Sequence, residues 1–402
     1  MRCEGVLIGR AAGRIDLPLA LATCALLLMV PATVAPLMSV STFGAVRENW
    51  LPSGVAGFAG QGFPELGAFV LVCAVILPFA YLASLVWVLG SLHFAGPRSR
   101  QNPGLGRLYR WVGLMRPWMM IEVFLIGGFV AYSRINTVAS IEINAGGWCL
   151  IAATFATLLA LTQLDDRTVW DALPRSDDSR GGASGVPAAG ETVRRTDDLS
   201  RRSDAASITC TACDLIVRAS SAGTPCRRCQ ARLHVRKPDA VRRTAALLIA
   251  GYLLYIPANL LPVMTLIGVG GAGRSTIMSG VFELIHNNLW PLAVIVFVAS
   301  IVLPLMKLFG LTWMLVSIRL RSSHLLRTRT RLFRTIDLIG RWSYIDVFMG
   351  SVLVSLLQFG SLTSVRAEPG LVAFAAVVAI TMLATEMFDA RLMWDAASRS
   401  AP

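Results

Sequence analysis

Long apolar stretches dominate the chain and are separated by shorter, arginine-bearing connections. Eight of them are long enough, at about 1.5 Å per residue, to cross a hydrocarbon core of roughly 30 Å. They cover residues 17–40, 67–94, 112–134, 146–164, 244–269, 289–318, 336–362 and 370–388. The pattern predicts an all-α polytopic membrane protein with about eight transmembrane helices.

Arginines are unevenly distributed among the connections. Apart from the central segment, three stretches outside the apolar runs hold several arginines each: Arg2, Arg10 and Arg14; Arg98, Arg100, Arg107 and Arg110; and Arg319, Arg321, Arg327, Arg329, Arg331 and Arg334. The alternate connections carry about one arginine each. Because cytoplasmic loops are enriched in Lys and Arg, both termini and the central segment are predicted to be cytoplasmic.

The two halves of the chain carry the same motifs in the same order. The matches, at offsets of 226 or 224 positions, are Pro31/Pro36 with Pro257/Pro262, Pro78 with Pro304, Trp118/Glu122 with Trp342/Asp346, and Trp170-Asp171 with Trp394-Asp395. Four spans per half is an even number, so both copies enter the membrane from the same side. The sequence therefore predicts two parallel four-helix repeats, in contrast to inverted-repeat transporters.

Two C-x-x-C motifs, Cys210/Cys213 and Cys226/Cys229, lie between the halves, with 12 residues between the inner cysteines. Four thiolates at this spacing predict one structural, tetrahedral Zn²⁺ in a small ribbon, with no open position for catalysis. The alternatives are a pair of disulfides or four free thiols. Disulfides are rare in the cytoplasm, where the segment is predicted to lie.

These features give a predicted domain order, set out by residue range. It is a leader (1–16), a first membrane repeat (17–172), a linker (173–208), the Cys₄ ribbon (209–237), a second membrane repeat (238–396) and a tail (397–402). The linker has almost no large apolar side chains, so we expect it to be flexible.

Composition and motifs exclude several classes of function. Hydrophobic residues make up 55% of the 402 residues and charged residues only 15%, which places the chain in a bilayer. The net charge of +13 comes from arginines in the connections, so it does not indicate nucleic-acid binding. Gly268-x-Gly270-x-x-Gly273 follows a membrane helix on the outer side and is not part of a βαβ unit, so no nucleotide is expected. Without an H-E-x-x-H or G-x-S-x-G motif, an enzyme is not expected.

One lysine stands in the middle of an apolar stretch. Lys307 lies twelve residues from Arg319, and Asp346 lies twelve residues from Arg334, so both are predicted at about the same depth. Ser300, Ser343 and Thr381 are predicted beside them. Such a pair either exchanges protons as an intramembrane polar relay or is a buried salt bridge that fixes helix register.

Several motifs together resemble those of the paraquat-inducible protein A family (PqiA and LetA). They are the Cys₄ ribbon, Tyr255-Ile-Pro257…Pro262, Ala299-Ser300…Pro304…Lys307, Gly340-Arg341-Trp342-Ser343…Asp346 and Phe388-Asp389…Trp394-Asp395. The resemblance covers nearly the whole chain. It implies a Gram-negative inner-membrane protein that works with a periplasmic MCE-domain partner in intermembrane phospholipid transport.

The chain departs from the family pattern in its first half. Only Cys3 remains where the family usually has another ribbon, so a single metal site is predicted. Tyr81 stands where the second repeat has Lys307, and Glu122 stands where it has Asp346. We therefore expect the polar machinery chiefly in the second repeat.

Two other function classes remain open at this point. A membrane anchor or assembly factor would use the ribbon to recruit cytoplasmic proteins, with Lys307 and Asp346 merely structural. A membrane redox protein is disfavoured by the lack of paired histidines within the spans.

Overall fold

The computed structural model describes residues 15–42, 45–94, 104–135, 140–173, 207–218, 221–268, 271–322, 324–357 and 363–398. Most of the predicted leader, linker and tail lies outside the described residues. What is described is mostly helical, with two three-stranded sheets in the membrane repeats and a two-stranded sheet in the ribbon.

The first repeat begins with a long apolar helix and ends with a short polar one. Its elements are α1 (Asp16–Val34), β1 (Met38–Thr42), β2 (Ala45–Asn49), α2 (Ser53–Gly60), α3 (Pro64–Leu71), the first π segment (Val72–Ile76), α4 (Leu77–Phe94), α5 (Gly104–Met115), the first break (Arg116–Trp118, a 3₁₀ turn), α6 (Ile121–Ile135), β3 (Ser140–Ile143), α7 (Ala145–Gln163) and α8 (Asp166–Ala172).

The second repeat follows the ribbon strands β4 (Ser207–Thr209) and β5 (Ile216–Arg218). Its elements are α9 (Ala240–Leu260), β6 (Met264–Gly268), β7 (Gly271–Ser275), α10 (Ile277–His286), α11 (Trp290–Phe297), the second π segment (Val298–Val302), α12 (Leu303–Arg319), α13 (Leu326–Ile339), the second break (Gly340–Tyr344, a 3₁₀ turn), α14 (Ile345–Leu356), β8 (Thr363–Ala367), α15 (Pro369–Met387) and α16 (Arg391–Ser398).

The two repeats share their elements, sheet order and strand register. The antiparallel sheets are ordered β2-β1-β3 and β7-β6-β8. Met38 pairs with Asn49 in one sheet, and Met264 pairs with Ser275, 226 positions later, in the other. Each π segment comes just before a proline, Pro78 or Pro304. Proline has no N–H for the carbonyl four residues earlier, and the widened turn accommodates that loss.

Seven helical segments in the described chain are long and apolar enough to cross a membrane. They are Asp16–Val34, Pro64–Phe94, Gly104–Ser133, Ala145–Gln163, Ala240–Leu260, Trp290–Arg319 and Pro369–Met387. Seven of the eight predicted stretches therefore coincide with such segments. The chain is a multi-pass membrane protein.

The eighth predicted stretch, 336–362, has a different structure. Its only α-helix beyond the second break is α14, which has 12 residues, and all of them except Ser355 are buried. The arginine-rich α13 precedes the break. Because arginines are costly in hydrocarbon, this crossing is made by an amphipathic interfacial helix, the break and a short internal helix instead of one straight span, and the chain still reaches the sheet strand β8.

The repeats meet along α6 and α14, which occupy equivalent positions. Phe124 and Phe348, 224 positions apart, touch edge to face with ring centroids 5.6 Å apart. A Cβ on Gly127 would lie 3.0 Å from the Ile345 carbonyl oxygen. Contact between equivalent residues places a pseudo-twofold axis at this interface.

Both sheets lie at the same end of the molecule, which we call the sheet side. Gln61 Nε2 donates to Val365 O at 2.8 Å, and Ser355 Oγ donates to Asn49 Oδ1 at 2.7 Å. Because these bonds link the two sheet ends, the pseudo-twofold axis runs from the sheet side to the ribbon side, as expected for parallel repeats.

Candidate functional site

The four ribbon cysteines form one buried cluster. Their Sγ atoms all lie within 4.8 Å of one another, and Cys210–Cys229 and Cys213–Cys226 are each 3.6 Å apart. A disulfide would need about 2.05 Å, whereas sulfurs around a tetrahedral Zn²⁺ with bonds of about 2.3 Å are about 3.8 Å apart. The cluster fits a metal ion rather than two disulfides.

The two C-x-x-C turns have the same backbone geometry. Asp214 and Gln230, each directly after the second cysteine of its motif, have φ values of 54° and 59°. The Cys210 N–H donates to Leu215 O, and the equivalent Cys226 N–H donates to Ala231 O. These turns aim two thiols from each motif at one point.

Hydrogen bonds among the four thiols lower the pKa of two of them and raise the pKa of the other two. A hydrogen bond from Cys213 is the main cause that lowers the pKa of Cys210, to about 6. A hydrogen bond from Cys210 likewise lowers the pKa of Cys226 below its usual range. Hydrogen bonds with Cys210 raise the pKa of Cys213 and that of Cys229, so a metal ion that binds the four sulfurs would displace the protons these two thiols retain.

The ribbon is bound to the first repeat by α5 and α8. Arg228, whose side chain is 5% exposed, pairs with Asp171 at 3.3 Å. A Cβ on Gly106 would lie 2.2 Å from Arg228 O, so only glycine allows this close approach.

The same ribbon is bound to the second repeat at the equivalent aspartate. Arg236 donates from Nε and Nη2 to both carboxylate oxygens of Asp395, at 2.6 and 2.9 Å. Lys237 Nζ donates to Phe388 O at 3.2 Å. Asp171 and Asp395 are 224 positions apart, so the repeated Trp-Asp motif provides each repeat with one carboxylate that binds a ribbon arginine.

Lys307 is buried deep between helices of the second repeat. Its side chain is 1% exposed, and Nζ donates to Gly340 O at 2.6 Å. That carbonyl lies where α13 gives way to the second break, and a cation there is favoured by the helix dipole. A Cβ on Gly340 would lie 2.7 Å from Lys307 Cε, so glycine leaves room for the amine.

The predicted partners of Lys307 are all buried, but the direct pair with Asp346 is not formed. Among the described residues, the ion pairs do not include Lys307 with Asp346. The equal depth deduced from arginine positions did not account for the Gly340 carbonyl, which lies nearer to the amine. Ser300 and Ser343 are fully buried, and Thr381 is 1% exposed.

Two of the hydroxyls are already engaged with their own helices. Ser300 Oγ donates to Val296 O at 2.6 Å within the second π segment, and Thr381 Oγ1 donates to Val378 O at 3.0 Å. Ser343 Oγ, within the second break, has no hydrogen-bond partner among the described residues. The role of the group as a relay stays a prediction.

The first-repeat counterparts are arranged differently. Tyr81 is 1% exposed and Glu122 is 5% exposed. Arg116 takes the place of Gly340 and pairs with Asp166 at 3.7 Å. The first repeat thus has an arginine at the position where the second repeat has the glycine that leaves room for Lys307.

Sequence reasoning did not identify Asp337 and Glu386. Both line a cavity of about 370 Å³ on the ribbon side, together with Arg116 and Lys307. The sequence does contain a clue to both residues. Asp337 is the one acidic residue in an arginine-rich segment, and Glu386 is the one acidic residue in the last apolar stretch.

Comparison with known proteins supports the family resemblance. The family model for paraquat-inducible protein A matches residues 15–174 and 241–398, one match per repeat. The chain is 27% identical over 381 residues to the Escherichia coli intermembrane transport protein PqiA, covering 94% of this chain and 86% of that protein. No solved structure matches the chain.

Two further relatives support the same family assignment. The Escherichia coli lipophilic envelope-spanning tunnel protein A is 30% identical over 379 residues, covering 94% of this chain and 81% of the relative. A Haemophilus influenzae probable intermembrane transport protein is 26% identical over 378 residues, covering 93% and 85%. Two of these three relatives are named as intermembrane transport proteins and the third as a tunnel protein, and these are not enzyme names. The chain belongs to the paraquat-inducible protein A family.

Proposed function

We propose that the chain is the integral inner-membrane subunit of an MCE-type system that moves phospholipid between membranes, loading or unloading lipid at the inner membrane. A membrane transport role follows from the family. Support for the lipid cargo comes from the name of the relative described as a lipophilic envelope-spanning tunnel protein, which matches 94% of this chain.

The observation that carries an active role is the burial of ionisable groups at the membrane core. Lys307 is 1% exposed and Asp346 is 7% exposed, in a protein whose neighbouring segments are membrane-spanning. Such groups are costly in a bilayer and usually mark a pathway or a proton relay. A proton gradient acting through Lys307, Asp346, Ser300, Ser343 and Thr381 is the driving force that we propose.

The ribbon is proposed to hold one structural Zn²⁺ through Cys210, Cys213, Cys226 and Cys229. Zinc favours four thiolates in a closed tetrahedron, and the sulfur spacing in this cluster suits it. When bound, the metal supplies folding free energy to the ribbon and no chemistry to the substrate.

The proposed orientation places the ribbon and both termini in the cytoplasm and the two sheets in the periplasm. It is supported by the arginine-rich connections on the ribbon side. The sheets are then the part of the chain that would meet a periplasmic MCE-domain protein.

The second candidate function is an anchor whose ribbon recruits cytoplasmic proteins. Ile216 and Val235 favour it, because these apolar ribbon side chains are 69% and 50% exposed. In that case neither lipid nor a periplasmic partner would accompany the chain.

Purification of the tagged chain from its native membrane tests the proposal. Mass spectrometry should find an MCE-domain protein and bound phospholipid, and a chain with Lys307→Ala should retain the partner while losing lipid transfer between vesicles. Transfer by the Lys307→Ala chain at the wild-type rate would contradict the proposal, and cytoplasmic proteins alone in the purification would favour the anchor.

A further inference from the structure

The ribbon-side cavity runs between the two repeats. Its first-repeat wall includes Arg116 at the first break, and its second-repeat wall includes Asp337 on α13 and Glu386 on α15. Lys307 lines its inner part and Gly340, which accepts the lysine hydrogen bond, lies beside it. A volume of about 370 Å³ has room for several waters.

Ionisable groups along this cavity become steadily more buried. Asp337 is exposed, Glu386 is half-buried, and Lys307 is buried. Glu386 Oε1 is shielded from solvent and has no hydrogen-bond partner among the described residues. Two carboxyl groups and an amine thus form a series from the aqueous edge inward.

Asp346 lies beside a different cavity, on the sheet side of the protein. It lines a separate cavity of about 30 Å³ with Ser275, Thr276 and other residues of the sheet side. Ser343 and Tyr344 of the second break are fully buried, and they separate Asp346 from Gly340 along the chain. Lys307 and Asp346 therefore line cavities on opposite sides of the second break.

From this arrangement we propose that Asp337 and Glu386 form a proton port that connects the ribbon side to Lys307. The inference rests on the proposed proton-coupled function and adds two residues and a direction to it. A proton from ribbon-side water binds the Asp337 carboxylate, passes to the Glu386 carboxylate and then to the neutral Lys307 amine. Each donor is left as its conjugate base, and no electron moves.

The surrounding charges are compatible with this role. Arg116 is paired with Asp166, and Lys237 Nζ donates to the backbone carbonyls of Glu386 and Phe388. The ion pairs among the described residues do not join either cation to a port carboxylate. The Trp118 indole also faces Glu386. Partial desolvation raises the pKa of Asp337, with Lys237 opposing it, so this group exchanges protons nearer to neutral pH than an ordinary aspartate.

Proton flux into vesicles tests the port. The full chain is reconstituted in vesicles of phosphatidylethanolamine and phosphatidylglycerol that contain a pH-sensitive dye, and a potassium diffusion potential is applied. Removing a positioned proton-transfer group typically slows transfer by 10²–10⁴-fold. Because the two acids act in series, Glu386→Gln alone should slow flux by on the order of a hundredfold, and the Glu386→Gln/Asp337→Asn double variant should slow it about as much. Asp337→Asn alone should slow flux less, because water at the exposed edge can also deliver a proton to Glu386.

Matched variants separate the port from folding. Glu142→Gln removes an exposed acid from the first sheet and should leave flux unchanged. Glu386→Asp keeps a carboxyl group and should keep most of the flux. Wild-type flux in the double variant would overturn the port alone. Lack of Lys307-dependent flux in the wild-type chain would overturn the proton-coupled part of the proposed function, and the port with it.

Discussion

Lys307 is the residue on which the proposed mechanism depends most. Lys307→Ala and Asp346→Ala should each abolish lipid transfer while the protein stays in the membrane, and substitutions of Tyr81 or Glu122 should be milder. Lys307→Ala also leaves the buried Gly340 carbonyl without the hydrogen bond from Lys307, which can destabilise the protein by about 1–3 kcal/mol. Lipid transfer and membrane abundance should therefore be measured together.

The double variant Lys307→Met/Asp346→Leu separates titration from structure. It removes both charges and keeps apolar volume, so packing should recover if the groups only hold the helices together. We expect it to remain inactive. Recovery of lipid transfer would leave both residues with a structural role.

Gly340 is expected to be important for packing, because its lack of a side chain leaves room for the end of Lys307. Gly340→Ala places a Cβ 2.7 Å from Lys307 Cε and should cost about 1–3 kcal/mol of unfolding free energy through overpacking. Gly128→Ala is the matched control, since its Cβ would meet nothing within 4 Å. Thermal unfolding in detergent should show a lower midpoint for Gly340→Ala only; equal midpoints would contradict the observed packing.

Among the elements, the ribbon should depend on its metal for folding. Metal analysis should return about one Zn²⁺ per chain, because the described residues offer one set of four cysteines. Cys226→Ser should lose the metal and unfold the ribbon, while the membrane segments keep their helical circular dichroism. Two equivalents of zinc, or none in carefully purified protein, would contradict the site.

The two aspartates that bind ribbon arginines lead to a second prediction for the ribbon. Asp171→Asn and Asp395→Asn should each speed zinc release to a chelator, and the double variant should release it fastest, because the ribbon then loses its ionic contacts to both repeats. Arg228 is 5% exposed, so leaving its guanidinium without a charged partner should cost about 1–3 kcal/mol. Glu65→Gln, at an exposed helix position, is the control. If the aspartate variants release zinc at the same rate as this control, the two ion pairs do not stabilise the ribbon.

Some elements follow from sequence because their causes are local. Seven apolar segments and the four cysteines were predictable from hydropathy and spacing. The breaks at Arg116–Trp118 and Gly340–Tyr344 were not, since they depend on where an arginine-bearing helix leaves the interface and what it packs against. The contact of Lys307 with Gly340 was missed for the same reason: a freed carbonyl is created by the break itself.

For the whole molecule, the arginine distribution predicts which end faces the cytoplasm. In intact cells, an impermeant thiol reagent should label Ser41→Cys and Gly271→Cys, which lie on the two sheets, and should not label Ser200→Cys. The unsubstituted chain measures background from native cysteines. The opposite labelling pattern would reverse the proposed orientation and place the sheets in the cytoplasm.

The π segments carry information about the history of the chain. A π turn holds one more residue than an α turn, and it occurs at Val72–Ile76 and again 226 positions later at Val298–Val302. One insertion in a single-repeat ancestor, before its gene duplicated, explains both. Phe124 touches its own equivalent, Phe348, which is the pattern of a self-complementary twofold interface, so a symmetric dimer of single repeats would be held by the same contact. Fusion then freed one copy to diverge, so that today a lysine stands in one half and a tyrosine in the other.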